Sequence, residues 1–391
     1  MSHLHSTSQD DYLIHHDSSF FTFTPQLHDH HHLPITFHHC IATIESHNSY
    51  ISSMAIAGNF LYTGSSDKEI QLWNRNGLLD TRNIDQQYLP DNMITAGNGA
   101  VKSMVISADH NKLFTAHQDH KIRVWNNNNN NNNKLTHLAT LPTLGDRTLK
   151  LLIPKNHVQV RRHKKSTWVH HLDTVSSLAS SIDGSLLYSV SWDRTLKIWR
   201  TSDFKCLQSV PNAHDDAINS LALSINGDVY TGSADKTIKI WRKTSNQGAE
   251  VNHTLIAILE KHKSGVNALA LSIDDSVLYS GSSDRSIIIW EKKNDGNRVA
   301  VGVLRGHTKS ILCLSVVSDL VCSGSADESI RIWRGVERFY VCLAVMEGHR
   351  GPVKCLTMAK DHDDCNTSSY IVYSGGLDRG IKVWRISINS S

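Results

Sequence analysis

Serine or threonine, histidine and aspartate recur together along this 391-residue chain, and that trio is the equipment of a hydrolase. A hydroxyl activated by an imidazole, itself oriented by a carboxylate, attacks acyl groups. The trios are His47, Thr63 and Asp67; His171, Ser189 and Asp193; His214, Thr231 and Asp235; His262, Ser280 and Asp284; His307, Ser323 and Asp327; and His349, Ser374 and Asp378. A seventh pair, Thr115 with Asp119, has Gly97 where the histidine should stand. Near-copies argue against catalysis, because an active site is normally single whereas the hydrogen-bonding pegs of a repeat are multiplied. The sequence also has no phosphate-cradling Gly-Lys-Ser/Thr loop and no kinase motif set. The expectation is a protein that is not an enzyme and holds no cofactor.

Two other clusters invite chemistry. The first 40 residues carry ten histidines, among them His28, His30, His31, His32, His38 and His39, the last beside Cys40. Imidazoles at this density bind divalent transition metals in a test tube. Their surroundings are rich in Ser and Thr and poor in aliphatics, so residues 1–34 read as a disordered tail without an ordered metal site. The second cluster is Arg161, Arg162, His163, Lys164 and Lys165, flanked by Val158, Val160 and Trp168 within a long insertion at about 142–170. A basic patch with apolar anchors suits an acidic partner, a nucleic acid or an import receptor. The alternative is a solvated hairpin or helix that caps the neighbouring repeats.

The elements that must position these residues follow from a second regularity. Each turn aspartate stands six residues before a tryptophan: Trp73, Trp125, Trp199, Trp241, Trp290, Trp333 and Trp384, which accounts for seven of the nine tryptophans. A fixed internal period signals a repeat architecture. The fifth copy shows the unit: Val266 to Leu271, Val277 to Ser282 and Ile287 to Trp290 are short β-branched runs separated by Asp, Gly and Ser. Such runs are strands joined by tight turns, and another apolar run before each trio makes four antiparallel strands per repeat. A small sheet with two apolar faces must be covered on both, which a closed ring of seven achieves. The last repeat stops after its third strand, and a spare strand at Ile35 to Ile44 is placed to complete it. The eight asparagines from Asn126 to Asn133 are a loop expansion, and residues 389–391 a short tail. Leu135 to Leu141 and Val158 to Trp168 both qualify as the outer strand of the second repeat.

Bulk composition adds little about partners. With 40 basic and 37 acidic residues interspersed and a net charge of +3, no partner class is singled out. Seven cysteines without a Cys-x-x-Cys pair, four of them (Cys313, Cys322, Cys342 and Cys355) in apolar runs, suit reduced thiols. The N-terminus lacks a secretory pattern and no apolar run approaches a membrane span, so a soluble cytoplasmic or nuclear protein without membrane contact is expected.

With these residues assembled, the chain resembles a seven-bladed WD-repeat β-propeller, an all-β fold covering about residues 35–388. The resemblance implies that each His, Ser or Thr, Asp and Trp set is a structural hydrogen-bonded tetrad. Gly97 then leaves blade two incomplete and makes it the softest. The family's aspartate after each tryptophan is replaced here by Asn74, Asn126, Arg200, Arg242, Glu291, Arg334 and Arg385. More narrowly, Leu141 to Thr143, Asp146-Arg147, Pro154 to Asn156, Val160 to Lys165 and Trp168 resemble an insertion of plant WD-repeat proteins of the Jingubang type, as do Ala213 to Ala217 and Leu259 to Ser264.

In such a ring the His loops and Asp turns share one side, which the resemblance implies is the docking face for proteins or peptides. The residue before each turn aspartate should point outward there, namely Ser66, Gln118, Trp192, Ala234, Ser283, Ala326 and Leu377. Trp192 and Leu377 are the apolar anchors among them, since an exposed Trp buries a large area at low entropy cost. Loop charges split the face into Asp173, Asp215 and Asp216 on blades three and four and Lys263, Lys309 and Arg350 on blades five to seven. A monomeric, non-enzymatic adaptor in regulatory signalling or transcriptional control is expected, with no small-molecule substrate. One competing class is a cullin-type ubiquitin-ligase substrate receptor, for which Trp290-Glu291-Lys292-Lys293 is a poor match to the required Trp-Asp-x-Arg. Another is an RNA- or chromatin-associated propeller, against which the acidic loops count because nucleic acid needs a broad basic face.

Overall fold

The computed structural model describes residues 36–79, 88–127, 134–151, 157–161, 164–245, 251–336, 339–361 and 368–388. The expected tail at 1–34, the asparagines from 128 to 133, Arg162, His163 and residues 389–391 lie outside the described residues.

Strand β1 (Thr36–Ile44) comes first. Blade one holds β2 (Ile51–Ala57), β3 (Phe60–Ser65), β4 (Glu69–Asn74) and, after the short helix α1 (Arg75–Leu79), β5 (Asn92–Thr95). Blade two is β6 (Val101–Ile106), β7 (Lys112–His117), β8 (Ile122–Asn126) and β9 (Thr136–Leu141). The insertion follows as helix α2 (Leu144–Leu151) and a separate two-stranded sheet, β10 (His157–Arg161) and β11 (Lys164–Thr167). Blade three is β12 (Val175–Ser180) to β15 (Cys206–Val210), by way of β13 (Leu186–Ser191) and β14 (Leu196–Arg200). Blade four is β16 (Ile218–Leu223), β17 (Val229–Ser233), β18 (Thr237–Ser245) and β19 (Val251–Glu260). Blade five is β20 (Val266–Leu271), β21 (Val277–Ser282), β22 (Ser286–Lys292) and β23 (Arg298–Arg305). Blade six is β24 (Ile311–Val317), β25 (Leu320–Ser325), β26 (Ile330–Val336) and β27 (Phe339–Met346). Blade seven joins β28 (Val353–Lys360), β29 (Ser368–Gly376) and β30 (Ile381–Ile388) to β1, in the order β1-β30-β29-β28. The spare strand therefore closes the ring, with Thr36 opposite Ile388 and Ile44 opposite Ile381. Of the two segments that qualified as blade two's outer strand, Thr136–Leu141 takes the place, with Ile122 opposite Leu141.

The alternation that made these segments strands also makes the core. Seven apolar clusters fill the seven seams between neighbouring blades, and each contains one tetrad tryptophan. Trp73, for example, packs with Ile44, Ile371 and Tyr373 between blades seven and one, and Trp290 packs with Tyr230 and Leu259 between blades four and five. Each blade is thus apolar on both faces and stable only with two neighbours.

Candidate functional site: the loop-and-turn face

In six blades the sequence trios assemble with hydrolase connectivity around a buried hydroxyl. In blade five His262 Nδ1 lies 2.9 Å from Asp284 Oδ2, and His262 Nε2 lies 2.8 Å from Ser280 Oγ. The same contacts join His47 to Asp67 and Thr63, His171 to Asp193 and Ser189, His214 to Asp235 and Thr231, His307 to Asp327 and Ser323, and His349 to Asp378 and Ser374, all at 2.7 to 3.2 Å. The hydroxyl is fully buried in every case and accepts a hydrogen bond from its tryptophan, as Trp290 Nε1 donates to Ser280 Oγ at 2.8 Å. A nucleophile needs a lone pair aimed at an accessible carbon. Here the hydroxyl is spent tying the third strand to the loop. His47, Asp67 and Glu69 place three possible metal donors within 4.8 Å of one another, yet both His47 nitrogens are already bonded to Asp67 and Thr63.

The aspartate ties the loop to the turn. Asp284 accepts the backbone N–H of Lys263 through Oδ2 and that of Ser286 through Oδ1, and the other five complete sets repeat both bonds. The residue after each of the seven aspartates is left-handed: Lys68, His120, Arg194, Lys236, Arg285, Glu328 and Arg379 all have φ between 66° and 75°. That conformation is unfavourable for a residue with a Cβ, so the carboxylate bonds offset local strain while pointing the side chain outward. Burial acts to raise the pKa of these carboxylates, but hydrogen bonds and the nearby imidazoles outweigh it. Asp193, Asp235, Asp284 and Asp327 fall far below the usual range and Asp378 to about 2.

Blade two corrects the expectation of an incomplete tetrad. His117 Nε2 lies 2.8 Å from Thr115 Oγ1, and Trp125 Nε1 donates to that hydroxyl at 2.9 Å. His117 Nδ1 reaches Gly99 O at 3.0 Å and so ties the strand to the loop from the opposite end. The Asp119 carboxylate is held by the Arg123 guanidinium, with Nη1 at 3.1 Å from Oδ1. Gly97 makes this possible. Its φ is +108°, and a Cβ there would stand 2.5 Å from Arg123 Nη2. Burial first, then the Arg123 charge, pushes His117 down to about 4, so it works as a neutral imidazole. Sequence comparison along the repeats carried a trace of this. Five blades place Ser65, Ser191, Ser233, Ser282 and Ser325 where blade two has His117.

On the exposed side, the residues before the aspartates behave unequally. Trp192 is 43% exposed and Leu377 45%, whereas Ser66, Ala234, Ser283 and Ala326 are half-buried and Gln118 is exposed. Trp192 has company that spacing did not reveal. Lys102 Nζ sits 6.0 Å from the centre of its ring and 3.0 Å from Tyr50 Oη, so blades one, two and three contribute one residue each. Burial raises the Tyr50 pKa, but hydrogen bonds from Lys102 and Ser66 and the charges of Lys102 and Lys354 outweigh it, leaving the phenol below 10.0. Asp173, Asp215, Asp216, Lys263, Lys309 and Arg350 are all exposed in the loops of this side.

The insertion is partly a cap. Buried Asp146 of α2 accepts the backbone N–H of Cys206 at 2.8 Å, which ties the insertion to β15, the outer strand of blade three. Arg161 ends β10 opposite Lys164, and Lys164 and Lys165 open β11.

The model of the WD domain, G-beta repeat, matches seven segments: 38–74, 92–126, 162–200, 204–242, 253–291, 298–334 and 340–385. Among curated proteins, the chain is similar to the ribosome biogenesis protein WDR12 homolog of Drosophila mojavensis, 22% identical over 60% of this chain and 59% of that protein. It is similar to the cross-pathway control WD-repeat protein 2 of Flammulina velutipes, 22% identical over 51% of this chain and 67% of the relative. It is also similar to striatin-3 of Bos taurus, 27% identical over 52% of this chain and 29% of the relative. The chain thus spans about three-fifths of the length of the WDR12 homologs it matches. Segment matches over most of the length, four-stranded sheets in a closed ring and the buried tetrads agree: the chain belongs to the WD domain, G-beta repeat family.

Proposed function

We propose that this protein is a non-enzymatic adaptor whose loop-and-turn face docks other proteins or peptides. The observation that carries the proposal is the Trp192, Lys102 and Tyr50 group, because it breaks the sevenfold pattern and draws on three blades. A half-exposed indole beside a lysine and a phenol offers apolar area, a charge and hydrogen-bonding groups together, the composition of an interface anchor. The buried hydroxyl at every triad position supports a structural over a hydrolytic reading of the trios. The resemblance of the insertion to the Jingubang type favours regulatory signalling or transcriptional control in a plant cell, with the ring acting as a monomer in the cytoplasm or nucleus. The ribosome biogenesis relative favours a second reading, association with a ribonucleoprotein. Asp173, Asp215 and Asp216 on the same face weigh against direct contact with RNA there.

Crosslinking mass spectrometry on cells expressing the wild type and Trp192→Ala tests the proposal. Partners crosslinked to the His loops and Asp turns should be lost in the variant at unchanged melting temperature. An identical partner set in both would refute it.

A further inference from the structure

In six of the seven blades a long polar side chain stands in the corner beneath the loop. The residue two before the tetrad tryptophan, on the third strand, is a long polar side chain: Gln71, Arg123, Lys197, Lys239, Arg331 and Lys382. Gln71 Nε2 donates to Ser46 O at 3.5 Å, and Lys239 Nζ to Ala213 O at 2.9 Å. Lys197 Nζ donates to Trp168 O and Ser209 Oγ, and Lys382 Nζ to Thr43 Oγ1 at 2.9 Å. Arg331 lies 6.0 Å from the centre of the Trp333 ring, and Arg123 is bonded to Asp119.

Blade five has Ile288 at this position, opposite Val303 of β23. An isoleucine is too short to reach the loop, and the corner stands open as a cavity of about 550 Å³. Its floor is Ile288, Ala300 and Val303, and its rim carries Lys261, Lys263, Arg285 and Arg305. The sevenfold repeat serves as an internal control for that rim. Lys261 stands where blades six and seven have Gly306 and Gly348. Arg305 stands where blades four, six and seven carry Glu260, Glu347 and Glu45. The one carboxylate in the lining, Asp284, is already bonded to His262 and to the backbone of Lys263 and Ser286. Among the described residues, Lys263, Arg285 and Arg305 enter no ion pair.

We propose that the blade-five corner binds an acidic peptide segment, one apolar side chain entering the floor and flanking Asp or Glu carboxylates meeting the rim. Guanidinium groups match carboxylates bidentately, and a cavity of this size suits a few residues of an extended peptide. Charge complementarity selects the occupant, since Lys263, Arg285 and Arg305 face a single engaged acid. Glu260 beside the rim and Asp215 and Asp216 on blade four would repel a phosphodiester backbone running on from the site, while a short acidic segment ends before them. The inference rests on the loop-and-turn face being a protein-docking surface and narrows that surface to one site.

The test is fluorescence anisotropy of the full chain with an array of labelled 12-residue peptides, each holding one Leu, Ile or Phe between Asp and Glu residues. Matched arms carry phosphoserine for the acids, Asn and Gln for the acids, or a single-stranded oligonucleotide. Ile288→Lys copies the filling at Lys239 and Arg305→Glu copies Glu260. Arg305 is exposed, so its variant should keep the parental melting temperature; Ile288 is buried, so binding by its variant is read well below that variant's own melting temperature. Acidic peptides should bind the wild type, weaken as salt rises, and weaken at least tenfold in either variant. Equal binding by wild type and Ile288→Lys would overturn the proposal, as would stronger binding of the amide, phosphoserine or oligonucleotide arm. Failure of peptide binding with Trp192-dependent crosslinks intact would remove this site alone. Peptide binding at the corner with no Trp192-dependent crosslinks would instead remove the broader anchor.

Discussion

Restoring the histidine that blade two lacks should destabilise the protein, although every other blade argues for it. Gly97→His puts a side chain where φ is +108° and where a Cβ would meet the Arg123 guanidinium at 2.5 to 2.6 Å. The backbone conformation alone costs a residue with a side chain about 1–3 kcal/mol. Arg123 must then leave Asp119, whose pair is largely buried, with 9% and 20% side-chain exposure. Leaving a buried partner unsatisfied costs a further ~1–3 kcal/mol. The new imidazole cannot recover this, because His117 already occupies the Thr115 hydroxyl. A net loss of about 3 kcal/mol over a 391-residue chain corresponds to a fall in melting temperature of roughly 4 °C. Differential scanning calorimetry at fixed scan rate would measure it, with Gly97→Ala isolating the backbone and Cβ contribution. An unchanged or raised melting temperature in Gly97→His would show that blade two is a damaged tetrad and not a rebuilt one.

Trp290→Ala should cost ~3–5 kcal/mol in urea unfolding, since it empties a buried aromatic site and leaves Ser280 without a donor; equal midpoints would remove the tetrad's structural role. Acidification should weaken the fold early. Burial holds His117 and His253 at about 4, below the unfolded value near 6.5, so protons bind the unfolded state first as pH falls. His117 alone should withdraw about 2 kcal/mol by pH 5, with no such loss above pH 7. A melting temperature that is flat from pH 7 to 5 would contradict the buried neutral imidazoles. Deleting residues 36–44 should lower the melting temperature sharply by exposing β30, and a peptide of that sequence added in trans should recover part of it. No effect of the deletion would mean that the ring does not depend on this closure.

Much of the architecture was legible because a repeat states each requirement seven times. Strand periodicity, the aspartate-to-tryptophan spacing and the surplus first strand led to the closed ring, and the structure has that ring with β1 in the seventh sheet. In six blades the histidine meets its hydroxyl and aspartate from 16 to 29 positions away, while the spacing from hydroxyl to aspartate to tryptophan is constant. Blade two escaped, since Gly97 looks like a loss until Arg123 and His117 are seen to occupy the space it vacates. Strand pairing likewise separated Thr136–Leu141 from the insertion hairpin, because local composition does not say which segment hydrogen-bonds to β8.

The sequence by itself determined the scaffold of this protein, since local hydrogen-bonding chemistry at a fixed period leaves one way to cover apolar sheets on both faces. Tertiary structure alone decided what differs between blades. The Lys102 contact with Tyr50 and Trp192, the rewired second tetrad and the open corner at Ile288 each depend on side chains from separate strands or blades meeting in space. Their consequence follows from distance and packing, which no spacing along one repeat encodes.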